Sequence, residues 1–309
     1  MQHSWIWLTL VAALLQAVRT AGQKRLSERM STLAATYVRS LLGLPLMLAY
    51  LVIVGTGQGE ATAAGAGETW PGIGFLGYCV VAAVTQSVGT AALLSLYRMR
   101  SFAVANQLTR TNLVFTAVLG ALFFSETISG VGWLAIGLTL AGALALSKPH
   151  GAGEDAPGSI ALVDMPAIRT GLFVGLMFGL CNLMIREATL TLASGDALQR
   201  GGLTVATVTA LQVLLLGLWL AAREPGFLAG IWRHRALSAF VGVTSALGSI
   251  CWFAAFAMTN ASYVMAVGQV EAVFAVLIST LYFRERLRGI EVAGMVVVVA
   301  GVLLFRLGG

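Results

Sequence analysis

Charge is scarce in this chain. Of its 309 residues only 10% are Asp, Glu, Lys or Arg, against 58% hydrophobic, and the mean hydropathy is +0.87. A soluble domain carries roughly 25% charged residues, so the deficit excludes a water-surrounded fold and makes lipid the solvent. Histidine and cysteine are few as well, three of each. His3, His150 and His234 fall outside the apolar runs, which leaves no Ser-His dyad and no metal cluster within them. Cys79, Cys181 and Cys251 lie inside apolar segments, where a thiol usually behaves as a small buried hydrophobe. Asp155, Asp164 and Asp196 all fall in connections, so an intramembrane aspartyl pair is missing too. These absences count against a membrane-embedded enzyme, and no catalytic residue, cofactor or metal is expected. The net charge of +6 is spread singly and in pairs, without a basic stripe or an aromatic platform, which argues against nucleic acid as a partner. Met1-Gln2-His3-Ser4 lacks a basic n-region, so the first apolar run is expected to be retained rather than cleaved as a signal peptide.

What remains is apolar sequence in membrane-sized pieces. A span needs roughly 20 mostly apolar residues, and ten such stretches are read at 4–22, 32–54, 72–96, 102–123, 128–147, 168–190, 203–222, 236–257, 261–282 and 289–307. Most connections are short, so neighbouring helices form antiparallel hairpins. The stretch from Lys148 to Pro166, with its Pro, Gly, Glu154 and Asp155, marks the clearest boundary. It predicts two five-helix units at 1–147 and 168–309 joined by a linker at 148–167.

The two units repeat. At an offset of 159 residues, Val114 pairs with Val273, Phe115 with Phe274, Phe124 with Phe283, Glu126 with Glu285, Gly130 with Gly289 and Gly142 with Gly301. Phe-x-Glu-x3-Gly therefore recurs just before the last helix of each half. An odd number of spans per repeat turns the second copy upside down relative to the first, the inverted-repeat plan of secondary transporters. The fold class expected is an all-α membrane protein, ten transmembrane helices as two inverted five-helix repeats.

These residues resemble the drug/metabolite transporter superfamily in its version with two EamA-type repeats. Arg39 sits in the second span as the family's common arginine does. Gln269-Val270-Glu271-Ala272-Val273-Phe274 looks like the family's Glu-Pro stretch, and Phe283-Arg284-Glu285-Arg286-Leu287 with Gly294 and Gly301 looks like its ending. The resemblance covers most of the chain and implies a metabolite exporter in the bacterial inner membrane. One departure is plain: the family's proline is Leu113 in the first half and Ala272 in the second, which removes the proline from any kink there.

Ionisable residues inside spans are costly, roughly 2.5–3.5 kcal/mol on insertion scales, and mark functional sites by default. Here they are Arg19, Arg39, Arg110, Arg186 and Glu271, with Glu187 near the end of its span. Arg19, Arg186 and Glu187 lie close enough to span ends to snorkel, so depth selects Arg39, Arg110 and Glu271. The repeat register pairs Asn112 with Glu271, which makes an Arg110–Glu271 ion pair reasonable. Such a pair either locks the halves together or leaves Glu271 as a protonatable switch that couples transport to protons. Gln107, Arg110, Thr111 and Val114 share one helix face, and Gln16, Gln86, Asn182, Gln212 and Gln269 lie inside other spans. Gln269 and Glu271 are about 200° apart on an ideal helix, so only one is expected to point inward, and Glu271 is favoured. Tyr97, Tyr263 and Trp252 are candidates to gate or stack. The expected substrate-binding set is Arg39, Arg110, Glu271, Gln107, Gln86, Asn182, Gln269, Trp252 and Tyr263. Gly171, Gly175 and Gly179 form a small-residue ridge for close packing. Glu126 and Glu285 are read as charges favourable to the dipole of the helix that follows each.

Thirteen basic residues, from Lys24, Arg25 and Arg29 to Arg284, Arg286 and Arg288, fall in the odd-numbered connections, against Arg200 and Arg306 at the other end. The positive-inside rule then places both termini outside the cytoplasm, whereas the family is generally drawn with cytoplasmic termini. The expected partners are the lipid bilayer, a small-molecule substrate and protons, with a monomer expected and a dimer as the alternative. Arg39 and Arg110 against Glu271 leave a cationic excess, which favours an amino acid or carboxylate over a lipophilic cation. A drug or amine efflux carrier of the same fold, or a channel, is the competing reading.

Overall fold

A computed structural model describes residues 4–56, 72–99, 105, 108–146, 165–274, 276–277 and 289–308. The first five apolar helices are α1 (Ser4–Ser27), α2 (Thr32–Thr56), α3 (Ile73–Met99), α4 (Thr111–Phe123) and α5 (Gly130–Leu146). The second half holds α6 (Met165–Leu190), α7 (Ala197–Arg223), the short α8 (Phe227–Arg233), α9 (Arg235–Met258), α10 (Ala261–Gly268) and α11 (Gly289–Gly308). Among the described residues six helices are long and apolar enough to cross a bilayer, and four shorter apolar helices accompany them. Gln107, Glu285 and residues 147–164, most of the expected linker, lie outside the described residues.

Helix ends account for where the spans differ from the sequence reading. The first helix runs on to Ser27 instead of stopping at 22, because Gln23, Leu26 and Ser27 are buried against neighbouring helices. The seventh span starts at Ala197 rather than 203: Asp196 accepts from the Gln199 N–H while the Gln199 side chain accepts from the Asp196 N–H. That capping box satisfies two donors that a helix start leaves open.

Packing follows a pseudo-two-fold axis. Helix α3 lies along α6 as α9 lies along α1, and α4 meets α6 as α10 meets α1. The pairs α2–α7 and α5–α11 join equivalent helices across the axis. The protein is thus two five-helix repeats, inverted relative to one another. Val52, Ile53, Leu122, Phe123, Leu218 and Trp232 are among the large apolar side chains left exposed on the outside, where lipid replaces water.

Glycine permits the closest of these approaches. A Cβ at Gly175 of α6 would collide with Thr111 Oγ1 and lie 3.1 Å from the Asn112 nitrogen, and one at Gly179 would stand 2.8 Å from Phe115 Cβ. The ridge expected from sequence therefore packs directly on α4, the helix that carries Asn112 into the centre.

Candidate functional site

A cavity of about 130 Å³ lies between the repeats. Its polar lining comes from Gln16 and Arg19 on α1, Arg39 on α2, Gln86 and Tyr97 on α3, and Arg110 and Asn112 at the start of α4. Asn182 of α6, Trp252 of α9, and Gln269 and Glu271 beyond α10 add to it, with Ile185, Phe253, Phe256 and Met265 among its apolar residues, its floor.

The fourth and ninth spans both break where they enter this cavity. Arg110 has φ −66° and ψ −14° and precedes α4, and Gln269 has φ −61° and ψ −14° just after α10. Tight i to i−3 bonds close both turns, Leu113 N–H to Arg110 O at 3.2 Å and Ala272 N–H to Gln269 O at 3.0 Å. The two residues are repeat equivalents, 159 positions apart, and they meet: Arg110 Nη1 donates to Gln269 Oε1 at 2.7 Å. Neither break involves proline, since Leu113 and Ala272 stand in its place.

The break corrects the expectation that Gln269 and Glu271 point opposite ways. Gln269 and Val270 form a turn before the helix resumes at Glu271, so ideal helical spacing does not apply and both side chains reach the cavity. Glu271 accepts from Gln16 Nε2 at 3.0 Å, and Gln16 Oε1 accepts from Trp252 Nε1 at 3.1 Å. The indole stacks on Phe256 at 5.9 Å between centroids and covers Gly268, where a Cβ would stand 2.5 Å from the ring. Arg110 and Arg19 are the cations within electrostatic reach of Glu271.

Arg39, 7% exposed, donates to Thr90 Oγ1 at 3.1 Å. Gln86 accepts from Gln212, which in turn accepts from Ser40, so this glutamine also ties α3 to α7 and α2. Arg19, read as a snorkelling residue, lies in the cavity instead, because α1 continues for two further turns beyond it. Tyr263 lies elsewhere: its hydroxyl accepts from the Ser129 N–H between α4 and α5.

That contact belongs to a second constellation, at the end of the bundle opposite the basic connections. Glu126, 6% exposed, pairs with Arg186 Nε at 3.2 Å and accepts from the Ala261 and Ser262 N–H groups at 2.7 and 3.3 Å, and from Ser262 Oγ at 2.6 Å. Arg186 also donates to the carbonyls of Phe256 and Thr259 and to Asn260 Oδ1. Glu126 therefore caps α10 of the other repeat, a correction to the reading that it serves the helix following it in sequence. Ser125, at φ 52°, turns the chain sharply there in a conformation that favours glycine. The network ties together the ends of α4, α6, α9 and α10 below the cavity floor.

Apolar helices, ten among the described residues, set in two inverted repeats around a polar cavity define a multi-pass membrane protein built on the inverted-repeat plan. A model of the EamA-like transporter family matches residues 3–148 and 167–307, and the chain belongs to that family of small-molecule membrane transporters. Comparison with curated proteins finds no match. A solved crystal structure aligns over 100% of both chains with a TM-score of 0.70 at 13% identity, a likeness of fold alone.

Proposed function

We propose that this transporter exports a small anionic or zwitterionic metabolite, a carboxylate or an amino acid, across the bacterial inner membrane by alternating access. One observation carries the reading: Arg19, Arg39 and Arg110 share the cavity with a single carboxylate, Glu271. Arginine is the side chain best suited to holding carboxylates, and the same excess repels a lipophilic amine. The volume of about 130 Å³ supports a small metabolite over drug-sized ligands, whose pockets run from roughly 300 Å³. Of the expected site, Arg39, Arg110, Glu271, Gln86, Asn182, Gln269 and Trp252 line the cavity, which supports them as the binding set.

Alternating access is favoured over a channel because the Glu126–Arg186 network ties helix ends of the two repeats together opposite the basic connections, a contact that can close that end, while the arginines lie toward the basic end. By the charge bias that basic end is cytoplasmic, so substrate loads from inside and the termini lie outside. Glu271, hydrogen-bonded to Gln16 and flanked by cations, is the group to carry a coupling proton. The two units, 1–147 and 168–309, rock about the Arg110–Gln269 contact. Uptake of labelled leucine into proteoliposomes containing the purified chain tests this. Carboxylates and amino acids compete, amines do not, and Arg110→Gln reduces uptake at least about tenfold. Saturable amine uptake that survives Arg110→Gln would overturn it.

A further inference from the structure

Four buried side-chain polar atoms have no hydrogen-bond partner among the described residues: Arg19 Nε, Asn112 Oδ1, Arg200 Nε and Ser245 Oγ. Arg19 and Asn112 line the cavity. Buried polar groups without partners are rare in folded proteins. Other polar groups of the lining are engaged with protein, Arg110 with Gln269, Arg39 with Thr90 and Gln86 with Gln212. The two orphans have opposite hydrogen-bonding sense, since a guanidinium nitrogen only donates and an amide oxygen only accepts.

We propose that Arg19 and Asn112 bind the substrate directly, Arg19 donating to the substrate's anionic group and Asn112 accepting from an N–H or O–H donor that the same molecule carries. This rests on the anion-carrier reading and sharpens its substrate class. A plain carboxylate satisfies Arg19 and leaves the amide oxygen unmet. An amine without a carboxylate satisfies Asn112 and faces three guanidinium groups. An amino or hydroxy acid meets both, and the apolar floor of Phe253, Phe256 and Met265 gives its side chain a place. Asn112 is the repeat equivalent of Glu271, so the neutral acceptor stands where the other repeat has a carboxylate. That difference sets one end of the cavity to recognise a donor without adding charge.

Calorimetric titration of the full chain in nanodiscs with four probes that share one isobutyl group tests the pair: 4-methylpentanoate, its 2-hydroxy derivative, leucine and isopentylamine. The hydroxy acid and leucine bind about tenfold tighter than the plain acid, and the amine does not bind. Asn112→Leu abolishes that preference, Asn112→Asp keeps it for leucine, and Arg19→Gln weakens all three acids about tenfold. A preference unchanged in Asn112→Leu, or acid binding unchanged in Arg19→Gln, overturns the proposal. So does equal binding of plain acid and leucine by the unaltered chain. In those cases the anion-carrier reading stands if Arg110→Gln still weakens the acids, and both fall if none of the acids binds. Should Asn112→Leu fail to give folded protein, the unaltered chain's preference and Asn112→Asp decide the matter.

Discussion

Glu126→Gln removes one charge from the end of the bundle opposite the basic connections and nearly no volume. The carboxylate accepts three hydrogen bonds at 2.6–3.3 Å and pairs with Arg186 at 3.2 Å, and it is 6% exposed. Removing one member of a buried ion pair costs about 3–5 kcal/mol, because the partner stays charged and buried. The glutamine oxygen keeps part of the cap, and Arg186 retains the Phe256, Thr259 and Asn260 acceptors, so the low end applies, about 3 kcal/mol. If that cost falls on the closed arrangement, the ratio of closed to open shifts by about 150-fold. The assay is labelling of Met265→Cys on the cavity floor, with Cys79, Cys181 and Cys251 replaced, by a membrane-impermeant maleimide in vesicles of each orientation. Labelling from the Glu126 end rises by up to that factor and falls from the basic end. An unchanged rate from the Glu126 end, in protein that remains monodisperse, refutes the assignment of this network as the closure.

Three further outcomes follow from the same geometry. Glu271→Gln abolishes the response of uptake to an imposed pH gradient while counterflow persists, and an unchanged response shows that the coupling proton is carried elsewhere. Gly175→Ala pushes against Thr111 and the α4 backbone, an overpacking worth about 1–3 kcal/mol. It lowers the unfolding temperature and transport together, whereas Gly137→Ala, where a Cβ meets nothing within 4 Å, changes neither. A reporter active only in the periplasm, fused to Gly309, is active. Silence from that fusion reverses the orientation and makes the basic end periplasmic.

The spans and their inverted pairing were legible because lipid imposes a length and an apolar composition on every helix, and Phe-x-Glu-x3-Gly gives the repeat a register. The place of Arg39, Arg110 and Glu271 in the cavity lining was legible because a charge deep in a span is too costly to keep without a partner or a wet cavity. Arg19 was misread since its depth was counted from an apolar run ending at 22, while buried polar and small residues carry α1 to Ser27. Nothing in hydropathy marks that extension. Glu271 was favoured over Gln269 as the inward-pointing residue on ideal helical spacing, which fails where the helix breaks without a proline to announce it. Glu126 illustrates a third limit. Its motif is visible, but its partners Arg186, Ala261 and Ser262 are distant in sequence, and only packing of one repeat on the other brings them together.

Selection of anionic or zwitterionic cargo by the arginine-lined cavity is tested most directly by solid-supported-membrane electrophysiology of proteoliposomes. Across a panel of organic acids, amino acids and amines, saturable transients are expected for members of the first two classes, lost in Arg39→Gln and in Arg110→Gln, with none for the amines. Saturable transients for amines alone, indifferent to both substitutions, would contradict it.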